Sequence, residues 1–301
     1  VNYAQLLFPD FSLIACGYLL CRFTALNRTV WEQIERLVYF FLFPVLLFQS
    51  IVKSPLDIKV ASSLISAGFL LNLAAVLMAY SLPHLPWLGR HIDTRSHAAS
   101  AQIGFRFNSF IGLAVAERLA GAQGLQLIAV LIGVCVPLMN MAAVWPMARH
   151  AQRGFLGELI RNPLIVATAS GLVASLLGLT LPVWTEPTLS RIGTSAIVLG
   201  LLAAGAGMQL GHLSQAKALV ISVLSIRHFV LPLVALGLAT AFVLPPVQAT
   251  ILLAFSALPT ASSAYVLAVR MGYNGGFVAG LITLSTLLGM VSLPFALGLL
   301  R

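Results

Sequence analysis

The sequence predicts an all-α membrane protein of ten transmembrane helices, arranged as two inverted five-helix repeats, with the fourth and ninth spans broken. Three observations predict it. Of the 301 residues, 59% are hydrophobic and 8% charged, with a mean hydropathy of +0.99; soluble domains carry about 25% charged residues. The apolar residues come in runs of about 20, the length of a membrane-crossing helix, and do not alternate as they would in a β-barrel. Two of these runs, one in each half, are interrupted by polar residues at matching places.

The spans are expected at roughly 3–22, 30–52, 60–82, 97–119, 123–147, 162–180, 188–210, 216–243, 247–270 and 276–300. The first carries no positive flank and no small-residue cleavage site, so it reads as a span and not as a leader. The longest polar stretch, His84 to His97, includes Arg90, His91, Asp93 and Arg95 and is expected to be a solvated, structural loop. Between spans 5 and 6, Arg149 to Arg161 forms the seam between two units, 1–150 and 151–301. Within it, Gly154 to Ile160 has the pattern of a short interfacial helix.

The halves read as repeats. Phe107 to Gly121 aligns without gaps on Leu258 to Gly272. Asn108 falls opposite Pro259, Ser109 opposite Thr260, and Gly121 opposite Gly272. Pro9 and Gly17 match Pro163 and Gly171 at a single offset, and Pro146 resembles Pro294. Five is an odd number of crossings, so the second repeat enters the membrane from the opposite side. Orientation follows from Lys and Arg. Arg22, Arg28, Arg36, Arg90, Arg95, Arg149, Arg153, Arg161, Lys217 and Arg270 lie at or beside the loops after odd-numbered spans. Lys53, Lys59, Arg118, Arg191 and Arg301 lie on the other side. This bias puts the odd loops in the cytoplasm and both termini outside.

The interruptions are the candidate site. Pro259 removes a backbone donor and clashes with the preceding turn, and Thr260, Ser262 and Ser263 follow it. A freed backbone group in lipid must find protein or a wet cavity. Paired broken helices in transporters mark the mid-membrane binding site; the plainer reading is two kinked helices packed through small residues. Ionisable groups within spans are costly and point to function. Arg106 lies just before Asn108, Arg227 and His228 lie before Pro232, Asn140 lies in span 5, and Glu117 sits near the end of span 4. Each has a structural reading beside the functional one: snorkelling for Arg106, pairing with carbonyls for Arg227, packing for His228, a surface ion pair for Glu117, interhelical glue for Asn140. His228 and Glu117 are the candidates for proton coupling.

Other classes are disfavoured. The net charge of +9 is spread singly over short loops, without the dense patch that nucleic acid requires. Cys16, Cys21 and Cys135 lie apart in apolar runs, read as buried small hydrophobes, and form neither a disulfide framework nor a metal site. No clustered nucleophile–base set or metal motif suggests an enzyme, and no cofactor is expected. No carboxylate pair sits in mid-span, which disfavours a carboxylate-based sodium–proton antiporter. The interior is positive, and half-helix N-termini add positive dipole ends. The substrate is therefore expected to be a small organic anion. An inside-negative potential favours its exit by about 2.3 kcal/mol per charge per 100 mV.

Leu258 to Gly272, Asn108 to Leu113, Asn162-Pro163, Asn27-Arg28, Pro44 and Gly205 to Gly211 together resemble the auxin efflux carrier family, over essentially the whole chain. That family includes plant PIN auxin transporters and bacterial carriers. The resemblance implies the fold also found in bile acid:sodium symporters, with spans 4 and 9 crossing where they unwind. It implies a scaffold from spans 1, 2, 6 and 7, a transport domain from 3–5 and 8–10, an elevator-like movement, and a homodimer. It places substrate contacts at Asn108 and Asn140 and the crossover proline at Pro259. The family usually has Gly-Leu-Pro after the span-4 break, where this chain has Gly112-Leu113-Ala114; the break is then expected to rest on Gly112, Asn108 and Ser109. The long central loop of many plant members is absent, which points to a bacterial-type protein of the inner membrane and to carboxylates such as dicarboxylic acids. The remaining readings are proton-coupled organic acid uptake and a non-transporting receptor or structural protein.

Overall fold

A chain this apolar must satisfy its backbone hydrogen bonds within each segment, which helices do. The computed structural model describes residues 3–53, 58–147, 163–208, 216–261 and 263–300, and among these there are helices, turns and no strand. The seam, with Gly154 to Ile160, lies outside the described residues, as do Asn162 and Gln209 to Gly211.

Helix α1 runs Tyr3–Phe23. Asn27 then caps α2, Arg28–Leu37, its side chain accepting the amide of Val30. A π-helical turn at Val38–Leu42 joins α2 to α3, Phe43–Lys53. Pro44 follows this turn and has no N–H to give, so widening the turn before it relieves the clash a regular helix would suffer. Helix α4 spans Ile58–Ser81.

After a loop with two short 3₁₀ turns comes α5, Thr94–Ser100, running into a 3₁₀ turn at Ala101–Gly104. Asp93 caps α5, accepting the Ser96 amide at 2.7 Å. That amide holds the Asp93 carboxyl below its usual range. The helix starts three residues before the expected position, so His97 is buried within it, at 2.8 Å from the Ala79 carbonyl.

Helix α6, Ser109–Val144, turns sharply at Ala120 and Gly121, where Gly121 has φ +53°. Helices α7 (Pro163–Leu176) and α8 (Glu186–Ala206) open the second half. Then come α9, Lys217–Ser225, a second π-helical turn at Ile226–Val230, and α10, Leu231–Ala241. Pro232 follows this turn as Pro44 follows the first. Helix α11 spans Pro246–Ser256, α12 Ser263–Arg270 and α13 Gly275–Gly298.

Among the described residues five helical stretches are long and apolar enough to cross a membrane: Ser62–His84, Thr94–Val136, Val183–Ala206, Lys217–Ala241 and Gly275–Gly298. Phe11–Phe23 and Pro246–Ser256 are shorter apolar helices. The all-helical class is as expected, whereas of the ten expected spans five are found at full crossing length and two more as shorter apolar helices among the described residues.

Small residues set the close approaches. A Cβ on Gly17 of α1 would strike the Leu202 carbonyl of α8, and one on Gly205 of α8 would strike the Ile14 carbonyl of α1. The two backbones therefore touch directly, as small residues allow between membrane helices. The cysteines correct an expectation: only Cys135 is buried, Cys21 is half-buried and Cys16 is exposed. On a helix in an apolar solvent a thiol facing outward meets acyl chains, so burial in protein is not required of it.

Candidate functional site

The site is built where two stretches of chain leave the helix. In the first half, α5 and its 3₁₀ turn end at Gly104, residues 105–108 are non-helical, and α6 begins at Ser109. In the second, α11 ends at Ser256, residues 257–261 are non-helical, and α12 begins at Ser263. The two breaks meet. The Asn108 amide donates to the Pro259 carbonyl at 2.7 Å, and the Thr260 hydroxyl donates to the Arg106 carbonyl at 3.1 Å. Each break thereby supplies a partner for backbone groups the other has freed. Phe107 and Phe255 pack edge to face beside the junction, ring centres 4.6 Å apart.

Two pairs of residues that the sequence alignment sets opposite each other have features in common here. Asn108 and Pro259, aligned opposite each other, are hydrogen-bonded. Gly121 and Gly272, also aligned, are both positive-φ glycines, at +53° and +77°, in the turns that end the short helical segments after each break. Only glycine takes such a φ at little cost.

Asn108 caps α6. Its Oδ1 accepts the amides of Phe110 at 2.9 Å and Ile111 at 3.3 Å. Its Nδ2 donates to no described residue, and the hydroxyl of the adjacent Ser109, half-buried, has no partner among them either. Phe110 stacks on Phe43 of α3 at 4.9 Å, and both crowd Gly200 of α8. The start of α6 therefore faces α3 and α8.

The other end of the second break is held by a guanidinium, an imidazole and hydroxyls. Arg227, 2% exposed, donates from Nε to the Leu258 carbonyl at 2.6 Å and from Nη2 to the Phe255 carbonyl at 3.0 Å. A guanidinium at the last carbonyls of α11 offsets its negative dipole end. His228 bridges two serines of α13: Nδ1 to Ser292 at 2.7 Å, Nε2 to Ser285 at 2.9 Å. The Ser292 hydroxyl donates to the Ala257 carbonyl at 3.2 Å, and the Ser285 oxygen accepts the Thr260 amide at 3.0 Å. With the Ser292 proton given to Ala257, Nδ1 donates to Ser292, and in the neutral ring Nε2 accepts from Ser285. One continuous chain of hydrogen bonds thus runs from the Thr260 amide to the Ala257 carbonyl around the break. At the first break, Arg106 is half-buried and its Nη1 donates to Gln102 Oε1 at 3.0 Å. Gln102 in turn donates to the Ala99 and Ala264 carbonyls, tying this break to α12.

The structure brings Arg106, Asn108, Ser109, Pro259, Thr260, Arg227 and His228 to one junction. Glu117 lies elsewhere, exposed near the end of that segment. Ser262 lies outside the described residues, as do the side chains of Asn140 and Ser263. Gly112 is not in the break. It sits one turn inside α6, its amide bonded to the Asn108 carbonyl, and an added Cβ would lie 2.9 Å from Leu258. The break instead rests on residues 105–108, because Asn108 supplies the cap that lets the helix restart there.

Ser285, Ser292, Gln102 and Gly289 were not singled out by sequence. Ser285 and Ser292 are seven residues apart on α13, which puts them on one helix face; that spacing, set against a mid-span histidine, is the signal. Gly289 lies between them, and a Cβ there would sit 2.6 Å from the Pro259 ring.

Among the described side chains no Asp or Glu is buried, whereas Arg227 and His228 are. The junction therefore offers amide and hydroxyl donors in a positive setting. A family model described as membrane transport protein matches residues 140–297, from late in α6 through nearly all of α13. No curated protein matches the chain. An integral membrane chain of apolar helices, with its second half matched from end to end, belongs to this membrane transport protein family, that of the auxin efflux carriers.

Proposed function

We propose that this transporter is a secondary carrier for a small organic anion, of the carboxylate class, bound where the two breaks cross. The observation that carries the reading is the junction itself: free donors from Asn108 and Ser109 beside two half-helix N-termini, with Arg227 neutralising the opposing C-terminal end and no buried carboxylate among the described side chains. Anions are favoured at helix N-termini, where backbone amides point outward. Thr260 is spent on the Arg106 carbonyl and Arg227 on two carbonyls. They shape the site, while Asn108 and Ser109 face the guest. Asn140, Ser262 and Ser263 complete the proposed lining.

The equivalent order of helix, break, short helix, positive-φ glycine and long helix in each half supports two inverted five-helix repeats, 1–150 and 151–301. In this reading α1, α2, α3, α7 and α8 are the scaffold, and the elements between and after them move as an elevator. The glycine contacts between α1 and α8 suit a stiff scaffold. The Lys and Arg distribution supports a reading with both termini outside a bacterial inner membrane and efflux as the favoured direction, and the scaffold is the proposed homodimer face. Proton coupling through His228 draws no support from its geometry, since both ring nitrogens are engaged in the chain of hydrogen bonds that shapes the break.

The test is a thermal-shift screen of the purified protein with mono- and dicarboxylates, followed by flux in proteoliposomes. A bound ligand raises the melting temperature in proportion to RT ln(1 + [L]/Kd). A saturable shift with one acid class, and transport of that acid, is expected. Shifts with organic cations and none with acids would end the reading.

A further inference from the structure

Away from the junction, a cavity of about 940 Å³ opens at the ends of α4, α6 and α12. That volume lies within the usual range for ligand pockets of about 300–1,000 Å³. Its wall comes from three loops: Tyr80 and His84 at the end of α4, Trp145 after α6, Tyr273 after α12, with Arg95 of α5 between them. Among the described residues no carboxylate lines it. Asp93, next to Arg95 in sequence but one, is turned to its own cap at the Ser96 amide.

The polar groups of the wall divide in two. Tyr80 donates to the Ala142 carbonyl and His97 is bonded to the Ala79 carbonyl; these build the wall. Arg95 leans over the Tyr273 ring, 5.9 Å from its centre, and one Nη2 bond reaches the Gly272 carbonyl at 3.3 Å. Its remaining guanidinium donors have no partner among the described residues, nor has the exposed ring of His84. Trp145 is 79% exposed at the rim, its indole face open. A pinned guanidinium with a free edge, flanked by two aromatic faces, suits an anionic oxygen group joined to a flat or apolar body.

We propose that this cavity is a second anion-binding site, separate from the junction, taking a phosphate or carboxylate carried on an aromatic or acyl group. Arg95 holds the anionic head; Trp145 and Tyr273 cover the body. The site also touches both broken segments, because Arg95 starts α5 and its contact Gly272 ends the turn after α12. A ligand here therefore bears on the outer ends of the same two segments whose inner ends form the junction. The occupant can arrive from the water, as a soluble organic anion, or from the bilayer, as an anionic phospholipid headgroup with its acyl chains.

Phenyl phosphate serves as the probe, with the full-length protein in phosphatidylcholine nanodiscs and tryptophan fluorescence as the readout. A saturable change is expected in the wild type and in Asn108→Ala, which removes a junction contact and leaves the cavity intact. Trp145→Phe should lose the signal, and Arg95→Gln should weaken binding at least about tenfold, with Arg95→Lys between them. No saturable change in wild type, or one that Arg95→Gln and Trp145→Phe leave unaltered, overturns the proposal. Loss of the signal in Asn108→Ala overturns it too, since the probe would then be reporting the junction. Repeating the titration with part of the lipid replaced by phosphatidylglycerol separates the two sources. A tenfold loss of apparent affinity for the probe identifies the headgroup as the occupant, and an unchanged affinity identifies the soluble anion.

Discussion

Asn108 does two things that one substitution separates. Its Oδ1 caps α6, and its Nδ2 is left to donate. Asp keeps the cap but replaces the donor with a second negative oxygen. Asn108→Asp is therefore expected to melt near the wild type while losing all carboxylate-induced thermal shift; a wild-type shift in this variant would move the guest elsewhere. Asn108→Ala loses both and should cost about 1 kcal/mol of stability from the cap alone. The glycines around the junction separate in a similar way. Alanine gains about 1 kcal/mol over glycine inside a helix. At Gly112 the new Cβ meets the Cδ1 of Leu258 at 2.9 Å, the end of a side chain that can turn away. At Gly289 it meets the Pro259 ring at 2.6 Å, which cannot. Gly112→Ala should be close to neutral in thermal melting, while Gly289→Ala should lose about 1–3 kcal/mol through overpacking and carry the break, hence transport, with it.

At the scale of elements, the break before α12 is held from two sides, by Arg227 from the π-helical turn and by the serines of α13. Removing the guanidinium leaves the Phe255 and Leu258 carbonyls buried without a donor. Arg227→Met is expected to cost about 2–5 kcal/mol and to abolish flux, while Arg227→Lys, which can reach only as a point charge, recovers part of the stability and little of the flux. Equal flux in wild type and Arg227→Met would show that the cap is dispensable. Much of this arrangement was readable in the chain. Of the pairs the ungapped alignment set opposite each other, Asn108 and Pro259 are hydrogen-bonded, and Gly121 and Gly272 both turn the chain at positive φ. The reason is physical: a break in lipid needs residues that free a backbone group, recapture it and turn the chain, and few residue types do so. The π-helical turns at Val38–Leu42 and Ile226–Val230 were not readable, because one extra residue per turn leaves an all-apolar run all apolar. The serine–histidine chain escaped for a related reason. Serines on an apolar helix read as small packing residues until the facing helix supplies a histidine. The cavity at Arg95 is assembled from loops far apart in sequence, and His84 to His97 read alone gives no hint that the stretch has a wall.

For the whole molecule, the net charge that crosses decides what drives transport. On the proposed reading the guest is an anion that no proton or metal ion accompanies, so each turnover carries its negative charge across, whatever fixed charge the junction contributes. The membrane potential then acts on the transport cycle as a whole. Each charge carries about 2.3 kcal/mol per 100 mV, a factor of roughly 50 in the distribution of a monovalent acid. Proteoliposomes loaded with a labelled acid, clamped by a potassium diffusion potential, test this. An inside-negative potential should speed exit and an inside-positive one slow it, with a steeper dependence for a divalent acid than for a monovalent one. With the potential held at zero, an imposed pH gradient should leave the rate unchanged, because His228 accepts and donates within a closed chain of partners and has no path by which to carry a proton across. Flux that follows the pH gradient and ignores the potential would replace the uniport of an anion with proton-coupled uptake. The fold at the junction would survive that outcome, since its hydrogen bonds do not depend on the coupling; what would fall is the inference that the anion crosses without an accompanying proton.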